Sequence, residues 1–149
     1  NCMATMAHST SVVQAYLDLG NALDQSTLTK ELREQIALTV SQANGCDYCV
    51  AAHSAVARSI GLTEDAVRDA RNSGSPDANL ETVLRSARHV VEQRGNVSEI
   101  DFADLRSAGY NDRAIVEVLA QIVFVIVANY CSKVAQTDID FPPSSSIDN

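Results

Sequence analysis

Basic residues are scarce in this chain: 11 Lys and Arg stand against 19 Asp and Glu, giving a formal net charge of −8. With a pI near 4.7, its surface repels phosphate backbones and anionic bilayers, which argues against nucleic-acid and membrane partners. No leader is expected, because "NCMATMAHST" has neither a basic region nor an apolar stretch. A membrane-length apolar run is missing too. The most hydrophobic segment, "AIVEVLAQIVFVIVA" from Ala114 to Ala128, is broken by Glu117 and Gln121. Its longest uninterrupted stretch is 7 residues, against the ~18 of a spanning helix. These absences lead to the expectation of a soluble, cytoplasmic protein. Strand signals and internal repeats are missing as well. Finally, there is no second CxxC. A structural zinc site takes four ligands, usually two such pairs, and Cys2 and Cys131 are isolated, so no metal site is expected.

What remains is helical. At 149 residues, 46% of them apolar, the chain reads as one domain with its own core. Val12, Val13, Tyr16, Leu17, Leu19 and Leu23 follow helical spacing behind the hydroxyls of "HSTS". Thr27 or Thr29 opens a second helix with Leu32, Ile36, Val40 and Ala43 along one stripe, and "ANG" at 43–45 ends it. A third runs from about Cys46 to Ile60. Thr63 caps a short fourth, with Glu64 and Asp65 in its first turn. After the loop "NSGSP" a fifth carries Val83, Leu84, Ala87, Val90 and Val91. Ser98 and Asp101 offer a cap for a sixth, and Asn111 begins the last and longest, reaching about Ala135. The expectation is an all-α, single-domain bundle of about seven helices over 10–136. Residues 1–9 read as a flexible end or a remnant foreign to the domain, and 137–149 as an irregular tail.

Ile115, Val116, Val118, Leu119 and the run Ile122 to Val127 cover most of the last helix's girth. A helix apolar all round must be buried all round. It is therefore expected to be either the central helix or part of a subunit contact, with a homo-oligomer favoured and Ile115–Val127 at its interface.

The chemistry concentrates in "NGCDYCVAAH", Asn44 to His53. A metal site, an accident of packing and a redox couple all compete for it. If Cys46 begins a helix, Cys46, Cys49 and His53 fall within an arc of roughly 60° on one face, with the two cysteine Cα atoms about 5 Å apart. The unpaired N–H groups of a helix start favour thiolate. Spacing, capping and electrostatics agree on a reactive dithiol, beside the plainer readings of inert buried thiols and an ordinary hydrogen-bonded His53. His8 and His89 lack comparable neighbours and read as surface residues, Cys131 as a packed small hydrophobe. Helical spacing puts Glu34 with Leu38 and Ser41 at the margin of its stripe, where an exposed carboxylate is the simple reading.

Glu34, Cys46, Cys49 and His53 together read E-x11-C-x2-C-x3-H, which resembles the signature of the AhpD-like alkyl hydroperoxidases in the carboxymuconolactone decarboxylase-like superfamily. The resemblance spans about Leu28 to Glu64 and continues weakly at "NYCSKVAQTDIDFP". It implies an all-helical fold assembled as trimers or hexamers, and a thiol-dependent peroxidase without metal or other cofactor. It further implies that Cys49 is attacked and Cys46 resolves, with Glu34 and His53 as proton relay. The substrate implied is a hydroperoxide, and the reductant an external dithiol of dihydrolipoamide type or a peroxiredoxin partner. Tyr48 stands where well-studied members carry a histidine between the cysteines, and Ser132-Lys133 where related sequences often show Asn-His. Two other readings accompany this one: a lactone decarboxylase, which would use acid–base residues rather than a dithiol, and a non-enzymatic helical assembly whose cysteines sense redox state.

Overall fold

The computed structural model describes residues 2–142, except the side chains of Ile100 and Asp101. Among these, eight helices and no strand are found: α1 (Cys2–Met6), α2 (Thr10–Leu23), α3 (Lys30–Ala43), α4 (Asp47–Ser59), α5 (Glu64–Arg71), α6 (Ala78–Glu92), α7 (Glu99–Ser107) and α8 (Asp112–Val134). The seven expected helices are present, with the caps read from sequence at three of them. Thr29 accepts from the amide of Leu32 at 3.2 Å, Thr63 from Ala66 at 3.2 Å, and Asn111 from Ala114 at 3.0 Å. Each satisfies an orphan donor of a first turn. The Asp101 half of the cap proposed for α7 lies outside the described side chains.

The eighth helix is α1, where sequence suggested only a flexible end. It has no helix signal of its own. Cys2 and Met6 are buried with Ala128 of α8, and the Cys2 thiol donates to the Ala128 carbonyl at 3.6 Å. Tertiary burial, not local propensity, makes these five residues helical. Beyond α8 the described part of the tail, up to residue 142, is irregular; residues 143–149 of the expected tail lie outside the described residues.

The central helix is α3 rather than α8. Gln35, Ile36, Ala37, Leu38, Thr39, Val40 and Ser41 are all buried in succession, and α4, α5, α6 and α8 pack around them. Its small hydroxyl residues conceal this from a reading of hydrophobicity. Thr39, fully buried, gives its hydroxyl proton to the Ala70 carbonyl at 2.5 Å. A polar side chain that finds such a partner is tolerated in a core.

By length and composition α8 could cross a membrane, and one side of it packs into the core. Ile115, Val118, Ile122 and Val125 join the main core. On the same helix the Asn129 amide is completely buried and donates to the Ser41 hydroxyl at 3.1 Å. Glu117, which interrupts the apolar run, accepts the backbone N–H of Thr27 at 2.9 Å. The opposite stripe is open within one chain: Val116 is 63% exposed, Val123 54% and Tyr130 57%.

Leu38, with no exposed surface, sits where α3 meets its neighbours. Leu38→Ala is expected to lower the unfolding free energy by about 2–5 kcal/mol through lost burial and a residual cavity. Urea denaturation followed by circular dichroism measures this, and a loss below 1 kcal/mol would contradict the central placing of α3.

Candidate active site

Two helices meet at the Gly45–Cys46 turn. Helix α3 closes when the Gly45 amide reaches the Gln42 carbonyl at 3.1 Å and the Cys46 amide reaches the Ser41 carbonyl at 2.9 Å. This pairing needs a left-handed residue after the cap, and Gly45 supplies it with φ of +60°. Cys46 is then at once the residue after one helix and the cap of the next. Its sulfur accepts the amide of Cys49 at 3.4 Å, so its side chain sits at the positive end of α4.

From the other side, α8 holds the turn. The Asn44 amide donates to Asn129 at 2.9 Å, and the Lys133 ammonium donates to the Asn44 carbonyl at 2.6 Å. Asn129 was missed in sequence. Its only signal is an amide that, like Gln121, interrupts the apolar run of the last helix.

Cys46 and Cys49 are joined as a disulfide with Cα atoms 5.3 Å apart, matching the separation expected from one helical turn. Both are buried, at 1% and 3% exposure. The two sulfurs are thus within bonding reach of each other.

His53 lies one further turn along α4, and its Nδ1 is 2.8 Å from Oε2 of Glu34 on α3. The side chains are 23% and 18% exposed respectively. Spacing alone had put Glu34 on the surface. The structure instead turns it inward, because α3 is surrounded and leaves little free margin. A carboxylate only accepts hydrogen bonds, so the pair places the proton on Nδ1 and leaves the Nε2 lone pair free to act as base. All four predicted site residues are therefore on α3, α4 and the turn between them.

The remaining candidates lie elsewhere. His8 is exposed and His89 half-buried. Cys2 on α1 and Cys131 on α8 are free thiols in one apolar cluster, and burial pushes the Cys131 thiol up in pKa, which makes it a poor nucleophile. Tyr48 points toward this same cluster and meets Phe141 edge-on, with ring centroids 5.6 Å apart. Among the described residues no group of three His, Cys, Asp or Glu is placed to hold a metal ion.

Two separate clefts are lined by members of this set. One, of about 250 Å³, is lined by Glu34 and His53 together with Tyr16, Arg33, Gln121 and Phe124. The other, of about 300 Å³, is lined by Cys46 with Tyr48, Ser132, Lys133 and Thr137. Larger grooves of about 370 and 560 Å³ run along α6 and α7 and include none of the four site residues.

Residues 11–93, more than half of the chain, match the model of the carboxymuconolactone decarboxylase family. The uncharacterized protein YdfG of Bacillus subtilis is 37% identical over 51 residues, which span 34% of this chain and 35% of that protein. The match thus covers about a third of the curated relative. Among solved structures, an uncharacterized peroxidase-related protein from Silicibacter sp. TM1040 is 26% identical with a TM-score of 0.82, over 99% of this chain and 78% of that one. An alkylhydroperoxidase AhpD core, also an uncharacterized peroxidase-related protein, from Ralstonia eutropha JMP134 is 27% identical with a TM-score of 0.79, over 93% and 74%. The debrominase Bmp8, solved with 2,3,4-tribromopyrrole, has a TM-score of 0.83 at 22% identity, over 94% and 76%; that likeness is one of fold. Together the family match and the near-complete superposition on AhpD-like proteins show that this chain belongs to the carboxymuconolactone decarboxylase family and has the AhpD-like fold.

Proposed function

We propose that the protein is a thiol-dependent peroxidase that reduces hydroperoxides through Cys46 and Cys49. One observation carries this reading. A dithiol able to close as a disulfide sits at a helix start, one turn from a His53–Glu34 pair at 2.8 Å. The AhpD-like fold supports a peroxidase-related role, and the acid–base pair alone would also serve a lactone decarboxylase. The dithiol favours the first reading, because decarboxylation has no use for it.

The steps balance as follows. His53, directly or through a water, takes the proton of Cys49, and its imidazolium is stabilised by Glu34. The thiolate attacks the outer oxygen of the hydroperoxide. An S–O bond forms, the O–O bond breaks, and the departing alkoxide takes a proton back from His53 to leave as an alcohol. Cys49 is now a sulfenic acid, with which Cys46 condenses to give the disulfide and water. An external dithiol restores both thiols by exchange and is itself oxidised. A dihydrolipoamide-like molecule or a peroxiredoxin partner fits that role in a reducing cytoplasm. No step calls for a metal or other cofactor.

A homo-oligomer, trimeric or hexameric, belongs to the same reading. The stripe of Val116, Val123 and Tyr130 would otherwise leave three large side chains in water. Covering it gains about 25 cal/mol per Å² of apolar area.

Cys49→Ser is expected to abolish peroxide reduction. Cys46→Ser should consume one equivalent of peroxide and then stall as a sulfenic acid, visible by dimedone labelling and mass spectrometry. Sulfenic acid formed on Cys46 in the Cys49→Ser variant at the wild-type rate would reverse the assignment. In sedimentation at micromolar concentration the protein should run as an oligomer, and Val123→Glu should shift it toward monomer. A wild-type species of 16.0 kDa would sink the assembly proposal.

A further inference from the structure

A disulfide is reduced only when a thiolate reaches one of its sulfurs, and here that path is shut. Cys46 and Cys49 are 1% and 3% exposed. The cleft over the His53–Glu34 pair is lined by neither cysteine, whereas the second cleft is lined by Cys46, and the two share no residue. An external dithiol thus has a marked approach to Cys46 through the second cleft, and something there must move.

Three pieces of chain wall that cleft: the start of α4 with Tyr48, the end of α8 with Lys133, and the tail with Thr137 and Ile139. The first two are pinned together. The Cys46 amide bonds the Ser41 carbonyl at 2.9 Å, Lys133 donates to the Asn44 carbonyl at 2.6 Å, and Asn44 donates to Asn129 at 2.9 Å. The tail is different. Gln136, left-handed with φ of +49°, turns the chain back at the end of α8, where the Thr137 amide meets the Ser132 carbonyl at 3.0 Å. Residues 138–140 beyond it are exposed and have no regular structure. Ile139 is 51% exposed although it lines the cleft.

This loose segment comes down on Tyr48, which stands between the two cysteines. Phe141 meets the Tyr48 ring edge-on, with centroids 5.6 Å apart, and is half-buried there. The phenol donates to the Asp140 carboxylate and accepts from the backbone amide of Cys2, and burial together with the Asp140 charge holds it above its ordinary pKa. The same ring packs against the buried cluster of Cys2, Met6 and Ala128. Tyr48 is therefore a fixed post, and the tail is the piece with few contacts to lose.

We propose that this cleft is the entrance for the reducing dithiol, and that segment 137–141 is a gate over Cys46, latched by Phe141 on Tyr48, which swings aside to admit it. A volume of about 300 Å³ lies at the low end for small-molecule sites and suits a small, flexible dithiol. The Lys133 ammonium places a positive charge in the cleft, which favours the attacking thiolate. That thiolate attacks the Cys46 sulfur. A mixed disulfide forms, the Cys46–Cys49 bond breaks, and Cys49 leaves as a thiolate. The second thiol of the reductant then displaces Cys46, hands it its proton and departs in a cyclic disulfide. The reductant is taken from the peroxidase reading, but the gate can be tested without peroxide.

Two measurements on the full chain decide it. In the first, protein oxidised with diamide is mixed with dithiothreitol and quenched with N-ethylmaleimide, and the Cys46–Cys49 disulfide is followed by mass spectrometry. Phe141→Ala, which unlatches the tail, should speed reduction roughly five- to tenfold. Phe141→Tyr, which keeps a ring, should run at the wild-type rate. The urea midpoint should stay that of the wild type; a gain in rate that tracks a falling midpoint would mark general loosening and overturn the gate. Asp140→Ala, at an exposed position, is the second probe should Phe141→Ala fail to fold, and should speed reduction about two- to threefold. In the second measurement 2-mercaptoethanol, which has no second thiol to complete the exchange, is trapped by acid quench and should be found on Cys46.

Reduction of the Phe141→Ala and Asp140→Ala variants at the wild-type rate, or an adduct on Cys49 in place of Cys46, would overturn the proposal even if peroxide is turned over. Faster reduction of the variants with the adduct on Cys46, but no peroxide turnover, would uphold the gated entrance and overturn the peroxidase reading instead.

Discussion

Everything reactive in this protein hangs on one turn in which a single residue serves two helices. The Cys46 amide closes α3 on Ser41, and its sulfur caps α4 through the amide of Cys49. The dithiol is thereby built into the backbone junction rather than carried on a free surface. The left-handed Gly45 makes this possible, since a side chain there would be strained. The Asn129 and Lys133 side chains then brace the turn from α8. A preorganised site needs such outer support, because the residues that react cannot also hold themselves in place.

The polar residues of α8 explain how an apolar helix takes part in chemistry. Gln121 and Asn129 are eight residues apart, a little over two turns, so both fall on the side facing α3. One bonds the helix that carries Glu34 and the other the turn that carries Cys46. On the other side Val116, Val123 and Tyr130 repeat every seven residues and stay exposed within one chain. The same helix therefore has a buried side that aligns the site and an open side available to another subunit.

Position separates the thiols by role. Cys46 and Cys49 stand at the start of α4, whereas Cys131 lies near the end of α8 in an apolar cluster with Cys2, and burial raises its pKa. Tyr16 lies between that cluster and the relay, its phenol pushed well above its usual pKa by burial and by the acidic groups around it. It stays protonated at any physiological pH and so does not act as a base.

What the sequence by itself determined was local. Helix periodicity, the caps at Thr29, Thr63 and Asn111, and the break at Gly45 are set within a few residues, and they are where the spacing put them. The one-turn separation of Cys46, Cys49 and His53 follows from helix geometry alone. What only the tertiary structure decided was which faces are covered. Glu34 is turned inward although its spacing suggests solvent, since four helices surround α3. Central burial went to α3, with its small hydroxyl residues, rather than to the more hydrophobic α8, because a core position depends on neighbours and satisfied hydrogen bonds as well as on composition. The helix at Cys2–Met6 and the roles of Asn129 and Gln121 depend on residues more than eighty positions away. No pattern read along the chain carries such distant partners, since periodicity reports how a segment folds and not what will lie against it.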